Sequence, residues 1–341
     1  MLTRAIQWLL FLAFLGHWSG ALGQDPHFSQ YFASPLTLNP VNTGYFDGDY
    51  RIAANFRQQW FNARDAYNTS TVSYDVKLMK PHVSEFTRVG IGVMGMFDES
   101  LGGVLRSTYV SVSGAYHKAL AFDGKHTVGV GFQVTFANRT IDYSRLTFAS
   151  QFNGLGFDTA LPNNLTIADK SIEHLDMNAG VLYALHSKGL NAYVGASLYH
   201  ISQPQESLFN EVETKLNHRY NLHSAAEFSL DDLNSISVSG LYMKQGNVSE
   251  TLFGGVYKLQ STLGKNNASL FVGVWHRLRD ALIPYIGVDY KDIHVGINYE
   301  VAITNAYYNK SSYALKPQTV EVSVIFRKRS ITNPAGLCPR F

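Results

Sequence analysis

One cysteine among 341 residues, Cys338, has no partner for an intramolecular disulfide, which excludes a small disulfide-stapled scaffold. Charge is scarce too. Asp, Glu, Lys and Arg together make up 16% of the chain, against roughly 25% in ordinary soluble domains. The 28 Lys plus Arg against 26 Asp plus Glu leave a formal charge of only +2, too little to hold a polyanion, so a nucleic-acid partner is excluded. Beyond residue 23 no segment approaches about 18 consecutive apolar residues, so helical membrane spans are absent. Helical periodicity is equally hard to find.

Glycine (28), tyrosine (20) and phenylalanine (21) are plentiful instead, and 45% hydrophobic residues suffice for a core, which excludes a disordered chain. Arg4, the apolar run Leu9, Leu10, Phe11, Leu12, Phe14 and Leu15, and the small-x-small ending Ala21-Leu22-Gly23 read as a signal peptide over residues 1–23, cut before Gln24. The mature chain is therefore expected to be exported. No cysteine near that point offers a site for lipid attachment.

Alternation at a period of two recurs over roughly ten residues at a time, the spacing that sends successive side chains to opposite faces of a strand. Val128, Val130, Phe132, Val134 and Phe136 interleave with Gly129, Gly131, Gln133, Thr135 and Ala137. Ile293, Val295, Ile297, Tyr299 and Val301 do the same with His294, Gly296, Asn298 and Glu300. About fourteen such runs are expected, at 50–61, 67–78, 87–98, 104–117, 126–137, 177–186, 189–201, 218–229, 234–244, 249–260, 268–277, 281–290, 292–302 and 317–328.

An even strand number suits an all-β, transmembrane antiparallel β-barrel in the bacterial outer membrane. Connection lengths agree with it. If the N-terminus lies in the periplasm, the turns at Asp123-Gly124, Ser187-Lys188, Asp231-Asp232, Lys265-Asn266-Asn267 and Lys291 are periplasmic and short. The longest connections, 138–176, 202–217 and 303–316, then all face outward, and Phe148, Phe152, Phe157 and Leu161 make the first a candidate cargo surface. Tyr50, Trp60, Phe61, Tyr116, Tyr199, Trp275, Tyr285 and Tyr290 near strand ends are expected to form the aromatic girdles.

The expected organisation is a signal peptide at 1–23, an N-terminal periplasmic or plug segment at 24–49, the barrel at 50–328 and a C-terminal tail at 329–341. Pro26, Pro35 and Pro40 withhold amide donors from residues 24–49 and prevent a regular ladder there. That segment can fold into the lumen or lie at the periplasmic mouth. Its candidate partner-binding residues are Phe28, Gln30, Tyr31, Asn39 and Pro40. Arg57 and Gln59 share one face of the first strand, and since charge on the lipid side is costly they are candidate lumen or plug contacts. Beyond Phe326, Arg327, Lys328, Arg329 and Arg340 give a basic, periplasmic chain end.

The block Gln24-Asp25-Pro26-His27-Phe28-Ser29-Gln30-Tyr31, then Pro35, Leu38-Asn39-Pro40, Gly44 and the strand ending Arg57-Gln58-Gln59-Trp60, resembles the opening of the PorP/SprF family of the type IX secretion system. Thr71-Val72-Ser73-Tyr74-Asp75, Val89-Gly90-Ile91-Gly92-Val93, Ser113-Gly114-Ala115-Tyr116-His117 and Cys338-Pro339-Arg340-Phe341 extend the resemblance. It implies an outer-membrane protein of Bacteroidota that serves protein secretion and gliding motility. The implied partners are a periplasmic ring lipoprotein, a peptidoglycan-binding anchor protein and secreted surface adhesins.

No G-x-S-x-G elbow, H-E-x-x-H helix or P-loop occurs, and one cysteine cannot build a thiolate metal site, so no enzyme, cofactor or metal is expected. Asp47-Gly48-Asp49 starts like a calcium loop, but the ligand series does not continue and a turn is the better reading. The alternative function is a passive outer-membrane solute channel or hydrophobic-compound transporter.

Overall fold

The computed structural model describes residues 24–61, 66–78, 87–121, 123–162, 170–206, 215–261, 268–303 and 318–328. Fourteen antiparallel strands close on themselves: β1 (Tyr50–Gln59), β2 (Tyr67–Lys77), β3 (Thr87–Ser100), β4 (Leu105–Ala119), β5 (His126–Ile141), β6 (Lys170–Ser187), β7 (Leu190–Tyr199), β8 (Arg219–Ser229), β9 (Asn234–Gln245), β10 (Val248–Ser261), β11 (Ala268–Arg277), β12 (Ala281–Tyr290), β13 (Ile293–Ala302) and β14 (Gln318–Lys328). Each strand pairs with its neighbours in sequence, and β1 meets β14 from Tyr50↔Lys328 to Gln59↔Thr319. No edge is left along the closed part of the sheet, as spanning a bilayer requires.

Alternation does the sorting. Val72, Val110, Val112, Phe132, Val134, Val272 and Ile286 are exposed on the outside, whereas Arg51, Asn55, Arg57, Asp75, Gln133, Asn221, Glu300 and Glu321 are buried on the inside. Apolar outside and polar inside is the inverse of a soluble core and marks a lipid-facing barrel. The end carrying the connections after β5, β7 and β13 is termed the outer mouth, following the convention of such barrels.

Sequence periodicity places thirteen of the fourteen strand starts within about one residue, inside its usual boundary error; the one large departure is β6. It begins at Lys170 rather than 177, and β5 runs on to Ile141, so the connection expected at 138–176 shrinks to 142–169. The added rungs carry Asn138, Thr140, Ser171 and Glu173 on the outside, which rise above the apolar belt and so lack its hydrophobic signal. Of the basic residues beyond Phe326, the first two lie within the last strand, which ends at 328 as expected. Arg327 and Lys328 belong to β14, and Arg327 points inward to Asp289 at 3.7 Å. The proposed signal peptide, the 265–267 turn and residues 329–341 with Cys338 lie outside the described residues.

Three of the aromatic residues assigned to the girdles face the lumen. Tyr199, Trp275 and Tyr285 are 4–5% exposed, while Tyr116 and Tyr290 do face outward. A one-residue change of parity moves a side chain to the opposite face, and an aromatic near a strand end satisfies either assignment in sequence.

Residues 24–49 fill the lumen. The chain makes a 3₁₀ turn at Tyr31–Ala33, a single helical turn α1 (Pro35–Leu38) and a second 3₁₀ turn at Pro40–Asn42. Pro at the first position of the latter two turns sacrifices an amide that has no intrahelical partner anyway. Asp25 reaches Arg219 and Gln245, at the outer ends of β8 and β9. Phe46 lies under Arg51 and Lys77, at the inner ends of β1 and β2. The segment thus spans the lumen from one mouth towards the other.

Candidate functional site

The seat of this segment is built from three kinds of contact. The first is aromatic. Phe32 stacks on Trp275 at 5.1 Å between centroids and meets Tyr285 edge-on at 5.6 Å, while Tyr31 and Leu38 pack with Leu241, Leu252, Val256, Phe271 and Ile283. Each ring pair contributes about 0.5–1.5 kcal/mol beyond burial.

The second is close approach to glycine. A Cβ on Gly131 would lie 2.4 Å from the backbone nitrogen of Val41, and one on Gly90 would lie 2.4 Å from the carbonyl oxygen of Thr43. The small inward positions of β3 and β5 are the space the segment occupies.

The third is polar and buried. Glu321 accepts the backbone amides of Ser29 at 2.9 Å and Gln30 at 2.8 Å, and Gln30 Nε2 donates to the Glu321 carbonyl at 3.0 Å. Asn39 Nδ2 donates to the Ala196 carbonyl at 3.1 Å and lies 3.1 Å from His223 Nε2. Arg51 grips Asp75 bidentately at 3.0 and 2.8 Å, and the same carboxylate accepts the Gly44 amide at 2.8 Å. Arg57 donates to the His27 carbonyl at 2.6 Å and pairs with Glu300 at 3.1 Å. Arg277 joins Glu300 at 2.8 Å, Asp280 at 3.0 Å, Glu250 at 3.3 Å and Ser29 Oγ at 2.5 Å. Ser29 Oγ also donates to Glu300. Fixed donors of this kind leave little uncompensated charge in a low-dielectric lumen.

Of the residues singled out in sequence, Phe28, Gln30, Tyr31, Asn39 and Pro40 are all buried against the inner wall, and Arg57 is buried beside them. Gln59 sits higher. With Arg57, Trp60, Tyr67, Asp98, Arg139, Glu206 and Lys215 it lines a cavity of about 490 Å³ at the outer mouth, floored by residues 24–27. Trp60 therefore faces this vestibule, held at φ 60° and edge-on to Tyr67. The alternating pattern could not reveal the wall residues Asp75, Glu300 and Glu321 as a set, since no local signal links positions so far apart.

The tip of the segment is fastened at His200, just beyond β7. Its Nε2 donates to Asp25 Oδ2 at 2.5 Å and its Nδ1 to Asp176 Oδ2 at 2.8 Å, so the ring carries two protons. Burial opposes that charge, but the two carboxylates outweigh it and raise the His200 pKa from 6.5 to about 9. Burial likewise opposes the Asp25 carboxylate, and His200 and Arg219 more than offset this, holding Asp25 below its usual value of 3.8. A raised base stabilises fully below its unfolded value and is lost as pH rises through its folded one; a depressed acid contributes above its unfolded value and is lost as pH falls. The tip is accordingly held best between 3.8 and 6.5 and loosens as pH climbs through about 9. Amide exchange at Asp25 and His27, corrected for intrinsic rate, is expected to accelerate between about pH 6 and 10. The His200→Gln variant is expected to exchange equally fast at both, and a retained pH step there would assign the effect elsewhere.

Among the described residues no three His, Cys, Asp or Glu side chains converge as a metal site. A closed fourteen-strand barrel with an apolar exterior and an occupied polar lumen defines a class, the outer-membrane barrels with an internal plug. Residues 21–325 match the family described as type IX secretion system membrane protein PorP/SprF, and the chain belongs to that family. No curated protein matches the sequence. Among solved structures, the Ralstonia pickettii toluene transporter TbuX is similar at a TM-score of 0.51 and 11% identity, over 87% of this chain and 93% of that one. A Pseudomonas aeruginosa FadL homologue is similar at a TM-score of 0.48 and 8% identity, over 84% and 92%. At these identities the likeness concerns the barrel fold.

Many residues that carry the family resemblance are those that seat the plug: Gln30, Tyr31, Asn39, Pro40, Gly44, Arg57, Asp75, Gly90 and His117 all lie at this interface.

Proposed function

We propose that this barrel is a non-enzymatic subunit of the type IX secretion and gliding machinery that works as a scaffold. Its inner mouth engages a periplasmic ring lipoprotein and a peptidoglycan-binding anchor protein, and its outer mouth holds secreted surface adhesins. In this reading residues 1–23 are removed on export, 24–49 act as the plug, 50–328 as the barrel, and 329–341 as a periplasmic tail. Phe28, Gln30, Tyr31, Asn39 and Pro40 hold the plug, and Arg57 and Gln59 bracket the boundary between plug and vestibule.

The observation that supports this reading is the filled lumen. A barrel whose interior is occupied by its own buried, hydrogen-bonded chain suits a fixed platform better than a conduit. The test is affinity purification of the tagged full-length protein from detergent-solubilised outer membranes, with partners identified by mass spectrometry. Stoichiometric recovery of secretion-ring, anchor or adhesin components is expected. A barrel recovered alone, with unimpaired secretion in a deletion strain, would overturn the scaffold.

A further inference from the structure

The strands are unequal in height. β3 to β6 have 14 to 18 residues, whereas β7 has 10. β7 pairs with β6 only from Ala179↔Leu198 to Ser187↔Leu190. Above that point β6 continues for nine residues, bonded to β5 up to Lys170↔Ile141, and its pairing with β7 does not extend there.

The direction of the backbone groups follows from one bond. His186 donates its amide to the Lys125 carbonyl on the β5 side, so by period-two alternation the even residues of β6 bond to β5 and the odd ones turn towards β7. Ile201 caps the carbonyl of Met177, and Ser202 Oγ lies 3.5 Å from that of Leu175. Higher up, the amides and carbonyls of Ser171 and Glu173 meet no partner among the described residues. Such an edge is a template for another strand.

The surroundings say what kind of strand. Glu99↔Arg106, Arg106↔Thr140, Thr140↔Ser171 and Asn138↔Glu173 form a polar outward-facing band above Phe97, Phe136 and Leu175. This edge stands in water rather than in lipid. On it, the Glu173 carboxylate accepts only the Asn138 amide at 3.0 Å and has no cation beside it among the described residues. On the inner side His174 Nε2 lies 3.9 Å from Glu206 Oε1, and its Nδ1 has no partner among the described residues.

We propose that the upper edge of β6, residues 171–175, receives an extended strand of a secreted protein partner that places a lysine or arginine opposite Glu173. Backbone bonds supply the attachment, and the unpaired carboxylate supplies the preference. The inference rests on the scaffold reading, in which the outer mouth meets secreted cargo.

The test uses the full-length barrel in nanodiscs and a fluorescent peptide alternating Thr and Val around a central Lys, with a matched peptide carrying Glu instead. The Lys peptide is expected to bind saturably and about tenfold more tightly than the Glu peptide, as opposite against like cross-strand charges imply. It is expected to slow amide exchange at Ser171 and Glu173, whose amides face the open side. Ser171→Pro deletes an edge donor without touching the β5 ladder and is expected to weaken binding about tenfold. Glu173→Gln keeps the edge and is expected to abolish the difference between the peptides. Both variants are checked for folding by heat-modifiable gel mobility. Absence of saturable binding, binding indifferent to Ser171→Pro, or edge amides already protected in the free protein by its own 207–214 connection or by a second copy would each overturn the proposal. None of these outcomes bears on whether periplasmic components and adhesins co-purify, so the two readings fail separately.

Discussion

Replacing Gly131 by leucine is expected to unseat the N-terminal segment and convert a closed barrel into a conducting one. Any Cβ at this position lies 2.4 Å from the Val41 nitrogen and 2.5 Å from its Cα, and both are backbone atoms that no rotamer change can move away. Overpacking of this kind costs about 1–3 kcal/mol, and here it falls on the segment rather than on the hydrogen-bonded wall. Val41 sits beside Asn39 and Thr43, so a displaced Val41 strains the Asn39 bonds to Val181 and Ala196 and the Thr43 bond to Ser113. A barrel of this strand number is wider than the eight-stranded ones that side chains alone can fill, so an unseated plug leaves an aqueous path. Planar-bilayer recordings are expected to show discrete conductance steps for Gly131→Leu and a largely silent wild type. Equal conductance in the two proteins would mean that the wall does not depend on this approach.

The Arg277→Leu variant is expected to lose about 3–5 kcal/mol of stability, the usual consequence of leaving buried carboxylates without their cation. Arg277 is 5% exposed and serves Glu300, Glu250 and Asp280 at once, with Ser29 of the plug as a fourth partner. Arg57 still reaches Glu300 at 3.1 Å, but among the described residues it forms no ion pair with Glu250 or Asp280, so it does not replace Arg277. The double variant Arg277→Leu with Glu300→Leu is expected to recover part of the loss, because an apolar pair avoids the stranded charge. Urea unfolding of the barrel from lipid vesicles, followed by tryptophan fluorescence, measures both. A single variant as stable as wild type would place the plug's anchorage in the aromatic cluster around Phe32 instead.

The strands were legible because their signal is local. Val128 to Ala137 and Ile293 to Val301 write their two faces into consecutive residues, and β11 and β12 fall on the expected bounds. Polarity of the inner face was legible at Arg57, since charge does not face lipid. The face of an isolated aromatic was not legible, as Tyr199, Trp275 and Tyr285 illustrate. Nor was the height of β6, whose upper rungs carry no apolar alternation because they stand above the membrane.

The sequence by itself determined a chain of alternating strands, the lipid-facing band and, through residues 24–140, the family. Those properties reside in neighbouring residues. Only the closed structure decided that residues 24–49 lie inside the lumen, that Ser29 and Gln30 hang from Glu321, and that β6 rises past the last residue β7 pairs with. These pairings join positions up to 292 residues apart, and their partners are fixed by closure of the β1–β14 seam and the shear of the barrel, which no local pattern encodes.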